Sequence, residues 1–251
     1  MAVFITGASS GLGAALARHY AAQGHVLGLL ARRGDRLKEL VASLPGTHYL
    51  YVVDVCEREA LHAAAADFIQ KVGRVEIVIA SAGISAGTLT EQKDDFEVFN
   101  AIFETNVLAT VASFEPFVPH MQQARSGTLV GIASVAGVRG LPGAGAYSAS
   151  KAAITTYCES LRLELKPFDV GVVTIAPGYI KTEMTAKNPY NMPFLLDADV
   201  FATRAARAIA REDSYIVIPW QMGIVGKIMR ALPNWLYDKL AVNAPRKPRR
   251  D

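Results

Sequence analysis

Cysteine is scarce in this chain, with 2 in 251 residues, Cys56 and Cys158, about a hundred positions apart. Such a pair provides neither a disulfide framework nor zinc spacing, and two reduced thiols are expected. The five histidines (His19, His25, His48, His62, His120) contain no His-x-x-x-His pair, so no metal is expected. No apolar run approaches the roughly eighteen uninterrupted residues of a membrane span. The opening MAVFITG runs into a strand and a glycine turn without a charged-then-apolar leader, and a cytoplasmic protein is expected. Charge of one sign is lacking too. The chain carries 26 Lys and Arg against 23 Asp and Glu, and without the last seven residues, PRKPRRD, 22 bases face 22 acids. A near-neutral body has no basic stripe for nucleic acid, and the tail reads as a solvated end.

What the chain has is an apolar, globular composition, 51% hydrophobic and 20% charged, which excludes disorder as its main state. Short apolar runs alternate with helical patterns. Strands are expected at 3–6, 26–31, 49–54, 76–83, 127–134, 170–178 and 215–219. Helices are expected at 12–24, about 34–44, near 57–72, about 95–112 and about 147–166. The strands are continuously apolar, which burial on both faces demands. The order predicts an α/β, doubly wound, Rossmann-like fold with a seven-stranded parallel sheet and helices on both faces. No boundary rich in Pro, Gly or Ser interrupts it, so 1–251 is expected to be one dinucleotide-binding domain with 220–251 as a C-terminal extension.

After the first strand comes Thr6-Gly7-Ala8-Ser9-Ser10-Gly11-Leu12-Gly13, then a helix. Glycines there let the backbone turn tightly and approach a pyrophosphate, which the helix N-terminus faces. After the second strand the chain reads Ala31-Arg32-Arg33, with no acid until Asp35. Guanidinium groups suit a ribose 2′-phosphate that an acid would repel. The cofactor expected is NADP(H), with Arg32 as first contact and Arg33 as support. Ser134 ends the fifth strand, and Tyr147 follows in YSASK with Lys151 four residues on. On a helix that spacing puts phenol and ammonium on one face. An ammonium beside it would bring the phenol down from about 10 toward the working range of an acid–base group.

The spacing Gly-x-x-x-Gly-x-Gly departs from the commoner dinucleotide fingerprint. It resembles that of the short-chain dehydrogenase/reductase family, whose Thr-Gly-x-x-x-Gly-x-Gly signature residues 6–13 match in full. The resemblance spans residues 1 to about 220. It implies that Ser134, Tyr147, Lys151 and Asn106 are the catalytic residues. Ser134 would hydrogen-bond the substrate oxygen, and Tyr147 would exchange its proton. Lys151 would hold the nicotinamide ribose, and Asn106 would carry water that links Lys151 to solvent. Beyond the turn residues Gly7, Ser9, Ser10, Gly11, Leu12 and Gly13, it implies cofactor contacts at Asp54, for adenine, and at Val55. Ala82, Gly83, Pro177, Gly178, Ile180 and Thr182 join them, Thr182 at the nicotinamide end. One departure stands out: the family's Asn-Asn-Ala-Gly is here Ala80-Ser81-Ala82-Gly83, and Ser81 replaces only part of an asparagine's bonding.

The substrate-facing segments are expected at Val138-Arg139-Gly140-Leu141 and along 184–196. The second is an apolar loop with Tyr190, Met192, Phe194, Leu195 and Leu196, as open to being a lid as to packing on the sheet edge. A lid would make the pocket apolar, suited to a lipophilic ketone or secondary alcohol. Arg139 reads as a solvated arginine ahead of a carboxylate contact. Residues 220–242 read as two short amphipathic helices split at Pro233. Self-association as homodimer or homotetramer ranks first for them, and peripheral membrane contact third. The leading activity is NADP(H)-dependent reduction of a small carbonyl compound or oxidation of the alcohol. The alternatives are a 3-oxoacyl thioester reductase and, in another class, a non-catalytic nucleotide-sensing regulator.

Overall fold

The computed structural model describes residues 1–186 and 188–249. Lys187, within the expected 184–196 loop, and Arg250 and Asp251 of the basic tail lie outside the described residues. Seven parallel strands form the sheet: β1 (Ala2–Thr6), β2 (Val26–Ala31), β3 (Tyr49–Val52), β4 (Ile77–Ala80), β5 (Thr128–Ile132), β6 (Gly171–Pro177) and the edge strand Tyr215–Ile218. The sheet order is β3-β2-β1-β4-β5-β6 and then that edge strand, so the winding reverses between β1 and β4. In such a sheet the crevice beyond the carboxyl ends at the reversal takes the ligand.

Alternate side chains of each central strand bury on opposite faces, which is why the runs are unbrokenly apolar. Val3 and Ile5 of β1 join Val130, Ile175 and Leu16 in one core, while Phe4 joins Phe68, Phe117 and Leu129 in the other. The Phe4 ring lies 5.0 Å from that of Phe117 and 5.6 Å from that of Phe68. Helices α1 (Gly11–Ala22), α2 (Gly34–Ser43), α3 (Arg58–Val72), α4 (Asp95–Phe103), α5 (Ala109–Phe114), α6 (Val118–Ala124) and α7 (Gly145–Leu165) connect the first six strands. After Leu165 the chain tightens into one 3-10 turn, Lys166–Phe168, containing Pro167, which has no N–H with which to extend α7.

Four features depart from the expected elements. The helix expected at 95–112 is broken by a π-helical turn at Glu104–Leu108, which separates α4 from α5. The Thr110 hydroxyl there donates to the Asn106 carbonyl at 2.9 Å, the side-chain competition that bends helices. A small parallel pair, β7 (Ile180–Lys181) with β8 (Leu196–Asp197), closes the base of the 184–196 loop. Within that loop lies the short helix α8 (Glu183–Ala186). Helix α9 (Ala198–Ala210), not among the expected elements, buries Phe201, Ala205 and Ile209 in the core shared with α1. Helices α10 (Trp220–Ala231) and α11 (Asn234–Ala241) follow the edge strand, here numbered β9, and meet at Pro233. The fourth departure is the tail, which docks on the folded body through residues 246–249.

Candidate active site

The candidate residues gather at the carboxyl edge of the sheet. All but Asp54 and Asn106 line one cleft of about 860 Å³ running from the glycine turn past β4 to Ser134 and Tyr147. At its first end, Gly13 packs so closely under the turn that an added Cβ would lie 2.4 Å from the Gly7 carbonyl oxygen. Only a residue without Cβ lets the N-terminus of α1 come this near, and that is the cradle a pyrophosphate requires. Behind the turn, Ala82 N–H donates to Thr6 Oγ1 at 3.4 Å, so backbone ties the β4 turn to β1 despite the Ser81 departure. Leu12, Val55, Gly83, Pro177, Gly178, Ile180 and Thr182 complete the walls. The residues fit a dinucleotide.

The two arginines have different surroundings. Arg32 Nη1 pairs with Asp54 Oδ2 at 3.2 Å, and Asp54 Oδ1 also accepts from Cys56 N–H at 3.0 Å. Arg33 reaches the glycine turn, donating from Nε to Ser9 Oγ at 3.3 Å and from Nη2 to Ser10 Oγ. Its Nη1 donates to Glu183 Oε2 at 3.0 Å, and Arg36 holds the other oxygen of that carboxylate. Arg33 touches the phosphate turn, while Arg32 is held against the residue expected to meet adenine.

At the other end, Lys151 is buried and its Nζ donates to the Ile132 carbonyl at 2.8 Å, 5.8 Å from the centre of the Tyr147 ring. Burial lowers its pKa to about 8, because a low-dielectric surrounding disfavours the charged form. Tyr147 runs against expectation: burial raises its pKa, and the nearby Ser134 hydroxyl only partly offsets this. The ammonium is turned instead toward a main-chain oxygen. Ser134 is buried at the end of β5, where its Oγ accepts from Ala136 N–H at 3.1 Å and donates to the Pro177 carbonyl at 3.5 Å. It therefore caps the short turn after β5 and also faces the cleft.

Asn106 sits fully buried in the π-helical turn. Its Oδ1 accepts from Ile84 N–H at 2.8 Å, and its Nδ2 donates to the Ile84 carbonyl at 3.0 Å and to Ser150 Oγ at 3.0 Å. Its amide clamps the chain after β4.

Arg139 is neither solvated nor at a carboxylate. It donates to the carbonyls of Met229 (2.7 Å) and Leu232 (2.6 Å), reaches Asn234 Oδ1 at 2.8 Å and stacks 4.0 Å from the Tyr237 ring. It therefore ties the Val138–Leu141 segment to the end of α10, where free carbonyls attract a cation. Of the 184–196 loop, Met184 lines the cleft and Tyr190 packs edge-on against Tyr179, while Phe194 and Leu195 are exposed. The tail is not a solvated end: Lys247, Pro248 and Arg249 line the cleft. Sequence reasoning also passed over Ile84, Ser85 and Glu183. For Glu183 a signal existed, an acid directly after Thr182; for the tail, its two prolines limited the chain's freedom without saying where it docks.

Among the described residues no three His, Cys, Asp or Glu gather as a metal site, and no helix is long and apolar enough to cross a membrane.

Comparison with known proteins agrees with this geometry. The family model for short chain dehydrogenase matches residues 1–192. A relative from Myxococcus xanthus, described as an uncharacterized oxidoreductase, is 36% identical over 240 residues, covering 94% of each chain. The crystal structure of a short-chain dehydrogenase from Streptomyces avermitilis superposes with a TM-score of 0.81 at 26% identity, over 96% of this chain and 98% of that one. A short-chain dehydrogenase from Sphingobium yanoikuyae, in complex with NADPH, gives a TM-score of 0.77 at 26% identity, over 93% and 96% of the chains.

Proposed function

The chain belongs to the short-chain dehydrogenase family, and on that premise we propose that it is an NADP(H)-dependent oxidoreductase interconverting a ketone and a secondary alcohol on an apolar body. One observation carries the proposal: Ser134, Tyr147 and Lys151 converge at one end of a cleft whose other end holds Arg33 against the phosphate turn, with Arg32 beside it. The NADPH bound by the Sphingobium relative supports the choice of cofactor. Ile84, Ala86 and Met184 give the substrate end its apolar walls.

When bound, the dinucleotide supplies hydride to the carbonyl carbon or takes it from the alcohol. Gly7, Gly11 and Gly13 would hold its pyrophosphate, and Arg33 its 2′-phosphate once freed from Glu183. Ser134 Oγ–H donates to the carbonyl oxygen and stabilises the charge that grows there. Tyr147 gives its phenolic proton to that oxygen, so one carbonyl becomes one alcohol, and the phenolate regains a proton from solvent. Lys151 stabilises the phenolate while it lasts. Asn106 acts as a positioning residue, fixing Ile84 against Ser150 under the cleft.

Exposed Phe96, Leu108 and Leu163, with the stripe Trp220, Ile224 and Ile228 on α10, support self-association as a homodimer or homotetramer. Sedimentation is expected to give a species larger than 27.0 kDa, and flotation with anionic vesicles would instead favour the membrane contact.

The test is cofactor oxidation over ketones graded by size, run with NADPH and NADH in parallel. NADPH-dependent turnover that Tyr147→Phe abolishes, with NADPH binding retained, is expected. A preference for NADH overturns the arginine assignment, and a preference for acyl-carrier thioesters selects the alternative substrate. Full function of Tyr147→Phe would point to a nucleotide sensor.

A further inference from the structure

The basic tail threads into the substrate end of the cleft, and named contacts fix it there. Gly87 N–H donates to the Pro248 carbonyl at 2.8 Å, and on its other side Thr88 N–H donates to the Gly143 carbonyl at 3.0 Å, just ahead of α7. A Cβ on Gly87 would lie 2.3 Å from the Lys247 carbonyl oxygen, so glycine is required for the tail to come this close. Arg249 makes a two-pronged ion pair with the buried Asp95, at 2.9 and 3.0 Å. The Arg246 side chain packs over Gly143. The tail thereby braces the first turn of α7, which carries Tyr147.

This seating brings Lys247 Nζ 5.6 Å from the centre of the Tyr147 ring, inside the same cleft. Its hydrogen bond goes to Ser85 Oγ at 2.7 Å, and among the described residues no carboxylate pairs with it. An ammonium has three donors and no acceptor. Half-buried, with a hydroxyl as its partner, it lacks a countercharge that the neighbouring Arg249 has in Asp95. Burial lowers its pKa to about 8, so at neutral pH it remains charged.

We propose that Lys247 is a specificity-determining residue that binds an anionic group, a carboxylate in the first instance, on the substrate whose carbonyl Ser134 and Tyr147 receive. The substrate class is then a keto or hydroxy acid with an apolar body, its charged end at Ser85 and Lys247. The inference rests on the activity proposed above and narrows it. Arg249, Asp95 and Gly87 act as positioning residues for Lys247.

The experiment measures binding by calorimetry to the enzyme saturated with NADP+, which needs no turnover. The probes are levulinate and its next two longer homologues, each beside its primary amide. At least one acid is expected to bind about tenfold to a hundredfold tighter than its amide, the range of a charge-assisted hydrogen bond. Lys247→Gln is expected to erase this preference and Lys247→Glu to reverse it. Asp95→Asn, which loosens the tail and leaves Lys247 in place, should weaken the preference in part. Equal binding of acid and amide by the unaltered enzyme, or no binding of either, overturns the proposal. So does a preference that survives Lys247→Gln, or a Lys247→Gln variant whose loss lies in NADP+ affinity alone. If instead the acids bind as expected but no ketone is reduced, the proposed activity fails and the anion site stands.

Discussion

At the scale of single residues, the site is set by which charges are buried and which are paired. Burial holds the Tyr147 proton on, so the phenol is ready to donate at neutral pH, whereas accepting a proton requires its ionised form. Ketone reduction is therefore expected to be level between about pH 6 and 8, and alcohol oxidation to climb through the same interval. Initial rates in both directions across pH check this, and an oxidation rate flat with pH would contradict it. Tyr147→Phe should lower kcat by about a hundredfold to ten-thousandfold, the range of a lost general acid. Glu183 competes for Arg33, and hydrogen bonds from Arg33 and then Arg36 hold its carboxyl below the ordinary range. Glu183→Gln should thus tighten NADPH about twofold to threefold, a modest gain because the pair is exposed, and leave NADH unmoved in a fluorescence titration. The residues on one helix face or one turn were legible in the sequence: the glycine spacing, the arginine pair and Tyr147 with Lys151. Their partners were not. That Lys151 would turn to the Ile132 carbonyl, or Arg33 to Ser9 and Glu183, depends on turns from separate strands meeting at one edge.

At the scale of elements, the π-helical turn at Glu104–Leu108 carries the site's supporting hydrogen bonds, as such irregular turns do near functional sites. Asn106→Ala would strand the Ile84 N–H and carbonyl, while the Ser150 hydroxyl keeps its bond to the Tyr147 carbonyl. Each orphaned buried group costs about 1–3 kcal/mol, and with partial relaxation a net loss of about 2–4 kcal/mol is expected in urea unfolding. The periodic pattern of 95–112 announced a helix but not its bulge, because one extra residue in a turn leaves the apolar periodicity of the segment almost unchanged. Helix α9 was legible in principle: Phe201, Ala205 and Ile209 recur every four residues, although alanine-rich spacing gives a weak apolar signal. Its place against α1 gives Phe201 a full burial, and Phe201→Ala should cost about 3–5 kcal/mol by the same measurement. The seven strands were the plainest reading, since two-sided burial leaves no polar residue to blur a run such as VLGLLA.

At the scale of the whole molecule, buried ionisable groups set how stability follows pH. Lys151 and Lys247 each titrate near 8 when folded, below the ordinary 10.5. Between those values the unfolded chain binds more protons, so this pair makes stability rise with pH. Cys158, raised from 9.0 to about 11, acts oppositely over its own interval, and Tyr157, raised from 10.0 to about 12, acts so above 10. The midpoint of thermal unfolding is expected to rise from about pH 8 to about 9 and to fall beyond about 10. Lys151→Met should flatten the rise, and a midpoint already falling between pH 8 and 9 would contradict the account. The docking of the tail has a further consequence. The phosphate turn lies within the first thirteen residues, while one wall of the cleft is brought by residues 247–249, held by Gly87 and Asp95 outside the main sheet. The phosphate turn and that wall therefore come from segments more than two hundred positions apart in the sequence. With Lys247 in the role proposed above, exchanges within residues 246–249 are expected to change which substrate binds and to leave nucleotide affinity unmoved.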